Sequence, residues 1–192
     1  MLRIPQIEEI QSALLEVPTL INSYQAKDPQ FLDNVLAWFK SFESMLQMNR
    51  LTVVSEIAGM RGALISARRG MFTTQPSLLR RTERRRAAEM VAEQMLRTSV
   101  DVVTKRIDRD LIRINKAEDA TIELVNVGRQ LKIIPINSNA KSSPAILHSL
   151  WDSLANQDLT RNYTILIRSN VGPGDALILL DRVLQTWSGM PK

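Results

Sequence analysis

The sequence contains no cysteine, which excludes disulfides, thiolate catalysis and cysteine-ligated zinc in one step and fits a reducing compartment. Aromatic residues make up only 5% of the chain, and seven glycines with eight prolines in 192 residues leave little punctuation. That combination favours long helices over many short strands. No apolar run approaches the roughly 18 to 20 residues of a membrane span. The stretch from Met1 to Val17 carries Glu8, Glu9 and Glu16 and lacks the uninterrupted apolar core of a secretory signal. The chain therefore reads as a soluble protein of the cytoplasm, or else of the nucleus or a virion.

What is present is ordinary for a globular protein, with 44% hydrophobic and 23% charged residues. The net charge of +5 becomes informative only when it is localised. Arg68, Arg69, Arg80, Arg81, Arg84, Arg85 and Arg86, opposed there only by Glu83, give that window +6 and leave the rest of the chain at −1. The basicity is a local feature and needs a local explanation.

Apolar periodicity organises the first 116 residues. Ile7, Ile10, Leu14 and Val17 form one helical stripe, which Pro18 should end or kink before Leu20, Ile21 and Tyr24 extend it as a short second helix. Asp28 and Pro29 then mark a strong helix start. From there Val35, Phe39, Phe42, Leu46, Asn49, Val53, Ile57, Met60 and Leu64 follow at steps of three and four, predicting one unbroken long helix. Asn49 is the polar member of that line and either fixes register or marks a rotation of the seam. Gly70 to Pro76 is the expected break. A second long helix is expected from Ser77 to Lys116, with a seam of Leu96, Val100, Val103, Ile107, Leu111 and Ile114, and a length of about 60 Å. The short connection predicts an antiparallel hairpin.

Beyond Lys116 the pattern is ambiguous. Thr121 to Ile136 is rich in β-branched residues, so helix and strand both fit. Asn137 to Ser143 reads as a polar loop and Pro144 as the opening of a short helix with Leu147, Leu150, Trp151 and Leu154. Tyr163 to Ile167 reads as a strand. The turn Gly172, Pro173, Gly174 precedes a last helix capped by Asp175 and striped by Leu177, Leu180, Leu184 and Trp187. The expected fold class is mainly α: a long antiparallel helical hairpin or bundle over residues 1–120. Residues 121–192 would form a smaller α or α/β subdomain packed on it.

The arginine cluster is the leading candidate site. Guanidinium groups bind phosphates and carboxylates bidentately, and while Arg85 can pair with Glu89 at i, i+4, the other arginines have few carboxylates within helical reach. Arg68, Arg69, Arg80, Arg81, Arg84, Arg85 and Arg86 are thus candidates for docking nucleic acid or another polyanion. The alternatives are a solvated helix start and pairing with acidic residues elsewhere in the fold. Lys105, Arg109, Arg113 and Lys116 share a second basic face, diluted by Asp101, Asp108 and Asp110. With Phe72 the only aromatic near the cluster, any nucleic-acid contact should fall on the phosphate backbone and be salt-dependent. Ser55, Gly59, Gly62 and Ser66 form a smooth strip where a second backbone, from this chain or from a partner, could approach.

Catalytic signatures are thin. His148 is the sole histidine, one turn before Asp152, and no Glu-x-x-His pair exists to build a di-metal bundle. The Gly172, Pro173, Gly174 turn lacks a Walker lysine and a third glycine. No cofactor and no metal site is expected. The sequence leads to a non-enzymatic helical assembly protein, oligomeric or part of a complex, that docks a nucleic acid or another polyanion. The alternative is a protein-only adaptor whose arginines meet an acidic protein surface, and an unfamiliar enzyme site at His148 and Asp152 ranks third.

Overall fold

The computed structural model describes residues 1–71, 81–134 and 143–188, without the side chains of Arg81, Trp187 and Ser188. The expected helix start at Ser77, Phe72, Arg80, the stretch up to Pro76, most of the loop from Asn137 to Ser143, and the side-chain roles of Arg81 and Trp187 lie outside the described residues. Contacts divide the chain into two compact units, one of Leu2 with Ile4–Asp108 and one of Arg109–Lys192 with Met1 and Arg3. Eight α-helices and no strand occur among the described residues. The mainly α architecture read from the periodicity is the one observed.

In the N-terminal unit, α1 (Ile4–Leu14) buries Ile4, Ile7 and Ile10, and α2 (Val17–Gln25) follows at once. Pro18 sits in the first turn of α2, where its missing N–H leaves no bond unmade, so it starts this helix rather than bending the one before. Asp28 Oδ1 accepts from the Gln30 N–H at 2.8 Å just ahead of α3 (Phe31–Met48). α3 is the apolar centre of the unit, burying Phe31, Val35, Trp38, Phe39, Phe42, Met45 and Leu46. Each such side chain contributes about 1.5 to 3 kcal/mol. Trp38 stacks on Phe42 with ring centroids 4.6 Å apart, and its Nε1 donates to the Ala13 carbonyl at 3.2 Å, tying α1 to α3.

The expected unbroken helix from Asp28 through Leu64 is instead two, α3 and α4 (Val54–Arg68), packed as a hairpin. The cause is Leu51, which lies off the seam that spacing defined and would face away from the core on a continuous helix. Turning the chain at Asn49 and Arg50 buries both Leu51 and Val53, at 4% and 5% exposure. Asn49 is accordingly the C-cap of α3, its Nδ2 donating to the Met45 carbonyl at 3.0 Å and to Glu9 Oε2 at 3.2 Å.

The turn after α3 is one of four built alike. After α2, α3, α4 and α5 (Arg81–Gln130), the chain closes with paired 6→1 and 5→2 bonds, for example Leu51 N–H to Leu46 O at 3.0 Å and Arg50 N–H to Gln47 O at 2.9 Å. This is the Schellman closure, which needs a left-handed residue just past the helix. Gly70 supplies it after α4, as its position in the sequence suggested, with φ 77°. The other three positions carry Lys27, Arg50 and Lys132, with φ between 55° and 59°. A cation there compensates in part, because the helix C-terminus is its negative end.

α5 begins in the N-terminal unit and continues past Asp108 into the C-terminal one. Helix therefore covers Thr121 to Gln130, where a strand was equally compatible with composition. Thr121 explains why β-branching did not decide: it is fully buried, and its hydroxyl donates to its own helix at Ala117 O, 2.7 Å away. Leu96, Val103 and Ile107 of the expected seam are buried, while Val100, Leu111 and Ile114 are half-buried. Ala88, Ser99, Asp110 and Thr121, all buried and eleven residues apart, mark where the stripe follows a repeat longer than the heptad.

The C-terminal unit adds α6 (Pro144–Ala155), α7 (Asp158–Asn170) and α8 (Pro173–Ser188), which pack on one another. Ser143 Oγ accepts from the Ile146 N–H at 3.4 Å, and Pro144 opens α6 as its position suggested. The strand expected at Tyr163 to Ile167 is part of α7, so no sheet forms there. α7 is unusual in its sidedness. It buries Thr160, Thr164 and Ile167 while Leu159, Ile165 and Leu166 are 66%, 58% and 48% exposed. Thr160 and Thr164 are accommodated because their hydroxyls donate to the carbonyls of Leu154 and Arg161. α8 begins at Pro173, so buried Asp175 lies within its first turn.

Candidate functional site

The arginine-rich segment is distributed by the fold rather than presented as one block. Arg68, at the end of α4, pairs with Asp33 of α3 at 2.6 Å. Arg69 is exposed at the α4 C-cap. Arg84 runs alongside Gly70, where a built Cβ would lie 3.5 Å from Arg84 Cδ. Arg85 pairs with Glu89 at 2.7 Å, the local partner its spacing suggested, and also donates from Nη2 to the Pro29 carbonyl at 3.2 Å. Arg80 and the Arg81 side chain lie outside the described residues.

Arg85 thereby fastens α5 to the connection between α2 and α3, 56 residues away in sequence. That connection carries Lys27. The result is a groove of about 570 Å³ lined by Tyr24, Gln25, Lys27 and Pro29 on one side and Thr82, Arg85, Arg86, Glu89 and Met90 on the other. Three cations face one carboxylate, and that carboxylate is already engaged by Arg85. A second hollow of about 440 Å³, lined by Tyr24, Ala87, Met90, Val91, Glu93 and Gln94, shares Tyr24 and Met90 with the first. Both lie along α5. Glu93 of the second hollow is paired with Arg97.

Comparison with known proteins adds no assignment to this geometry. No protein-family model, curated protein or solved structure matches this chain. What the site does has to be read from its own side chains.

Sequence spacing found Arg85 and Arg86 but missed Lys27, Tyr24 and Met90. A signal existed for two of them. Lys27 follows a helix end and takes the left-handed position that glycine usually fills, and Met90 sits off the Ala88, Ala92, Leu96 seam, where an apolar side chain is left in solvent at 63% exposure. Neither signal points to the other, because the groove is created only when α2 and α5 meet.

The remaining candidates fall elsewhere. Lys105, Arg109 and Lys116 are exposed. Arg113 is half-buried and committed within the C-terminal unit, bonded to Asp110 Oδ1 at 3.4 Å, to the Asn170 carbonyl at 2.7 Å and to Met1 Sδ at 2.8 Å. In the strip of small residues, Ser55, Gly59 and Gly62 are exposed and Ser66 is half-buried. A Cβ built at Gly59 or Gly62 meets nothing within 4 Å. His148 and Asp152 are exposed on α6, flanking buried Trp151, over whose ring the Arg168 guanidinium lies at 5.3 Å. Among the described residues no three His, Asp or Glu side chains gather as a metal site, and no helix is long and apolar enough to cross a membrane.

Proposed function

We propose that this chain is a non-enzymatic docking subunit of a larger assembly, and that its basic groove receives carboxylates from an acidic protein surface. The observation that supports this most is the meeting of Lys27 with Arg85 and Arg86 in one hollow. Like charges brought together at a surface repel, and a fold retains such a cluster at a cost unless an anion offsets it. Arg85 is held by Glu89 and Pro29, which leaves a preorganised guanidinium, and preorganisation reduces the ordering cost of binding.

Two features favour an acidic protein surface over a nucleic acid. Glu89 and Glu93 stand along the same groove, so a continuous phosphate backbone would run past carboxylates, whereas a short acidic stretch need not. Arg68 is engaged with Asp33 as well, reducing the cations available to follow a long polyanion. A nucleic-acid reading draws instead on exposed Arg69, Lys105, Arg109 and Lys116.

Fluorescence anisotropy with a labelled poly-glutamate peptide and with DNA of matched charge, at low and high salt, tests the proposal. The peptide should bind at low salt and be lost in the double variant Lys27→Glu, Arg86→Glu, with helicity unchanged by circular dichroism. DNA binding that persists in that double variant would move the function to the other cations. Absence of binding by either probe at low salt removes the docking reading altogether.

A further inference from the structure

Resting on that docking proposal, we infer the form of the partner: an amphipathic helix, acidic in one turn and apolar in the next two, lying along α5 from Thr82 to Gln94. The groove is chemically segregated along its length. At the Thr82 end it presents Lys27, Arg85 and Arg86. Past Arg86 its lining turns to Ala87, Met90 and Val91 beside the Tyr24 ring, and it closes on Glu93, which is paired with Arg97, and Gln94. From Thr82 to Gln94 the α5 axis advances about 18 Å, or just over three turns. An occupant that meets both the cations and the apolar stretch beyond them carries anionic and apolar groups in that order.

Helical form follows from what the groove offers. The residues that α5 contributes recur once per turn, at 82, 85 to 87, 89 to 91, and 93 and 94. Such a surface has no free strand edge to which an extended peptide could add, and no strand occurs among the described residues. A helix laid in a groove between two helices is read through side chains at i, i+3, i+4 and i+7, which matches this periodicity. Met90, at 63% exposure and bordering both hollows, is the side chain suited to moulding around an apolar anchor. Tyr24 is fixed beside it, its ring tilted 5.3 Å from Phe31.

The test uses the full chain and three labelled probes: a stapled helical peptide with Glu in its first turn and Leu at i, i+3 and i+7 after it, the same composition scrambled, and poly-glutamate. The ordered helix should bind roughly tenfold more tightly than either other probe, the gain expected from burying one apolar anchor. Met90→Asp should erase that gain and leave poly-glutamate binding as it was. Lys27→Glu with Arg86→Glu should weaken all three. Equal binding by the ordered and scrambled peptides overturns the helical partner while the acidic docking reading stands. DNA as the only ligand overturns both. If the chain self-associates in sedimentation and Met90→Asp abolishes it, the occupant is a second copy of this chain and the inference is likewise wrong.

Discussion

Alanine at Gly59 and Gly62 should stabilise the N-terminal unit, and alanine at Gly128 should destabilise the C-terminal one. All three glycines lie inside helices, where glycine costs about 1 kcal/mol relative to alanine. At Gly59 and Gly62 an added Cβ meets nothing within 4 Å, so the propensity gain is undiluted and the double variant should gain about 2 kcal/mol. At Gly128 the Cβ would stand 2.8 Å from Leu154 Cδ2 and 2.9 Å from Ile134 Cδ1. Leu154 and Ile134 are 0% and 1% exposed, so neither has room to retreat. Overpacking of this kind costs about 1 to 3 kcal/mol, enough to offset the propensity gain and to leave a net loss. Urea unfolding reads both effects, with Trp38 fluorescence in a Trp151→Phe, Trp187→Phe background isolating the N-terminal unit. With a slope of about 1 to 3 kcal/mol per molar, the Gly59, Gly62 double variant should shift the midpoint upward by roughly 1 M. A midpoint that falls instead refutes the reasoning and means that another surface covers the strip from Ser55 to Ser66.

The left-handed cations offer a second test: Arg50→Gly should stabilise by up to about 1 kcal/mol and Gly70→Ala should destabilise by a similar amount, both read as shifts in melting temperature. Double-mutant cycles should separate the Arg61–Glu43 pair, 2.7 Å apart and partly buried, from the exposed Arg68–Asp33 pair, with coupling near 1 kcal/mol for the former and near zero for the latter. Equal couplings would contradict the assignment of burial. Phe39→Ala, at a fully buried position in the middle of α3, should cost about 3 to 5 kcal/mol by chemical denaturation, and a loss below about 1 kcal/mol would place Phe39 outside the core.

Periodicity carried the helices of the described residues as far as Lys116 well because a burial stripe records the face that meets the core. It failed at Leu51, because a stripe does not record how much is gained when a turn brings an off-stripe side chain inside. It failed again at Tyr163 to Ile167, where β-branched residues imply a strand only if their hydroxyls and Cβ substituents are unwelcome on a helix. Thr164, donating to Arg161 O at 2.8 Å, is welcome there. Of the groove, the arginine half was legible as charge density. The other half was not, because Tyr24 and Lys27 become neighbours of Arg85 through a tertiary bond to the Pro29 carbonyl that no local pattern encodes.

The reversed sidedness of α7 bears on how the C-terminal unit opens. A helix is anchored by the apolar area it buries, and α7 gives up much of that area to solvent through Leu159, Ile165 and Leu166 while placing Thr160 and Thr164 within. Beyond Ile167 its attachment rests on two contacts to α6, the Thr160 hydroxyl on Leu154 O and the Arg168 guanidinium over Trp151, whereas the Thr164 hydroxyl bonds within α7 and holds nothing else. α7 is therefore held to its neighbours more by polar contacts with α6 than by apolar area, and its amides should exchange through an opening smaller than global unfolding.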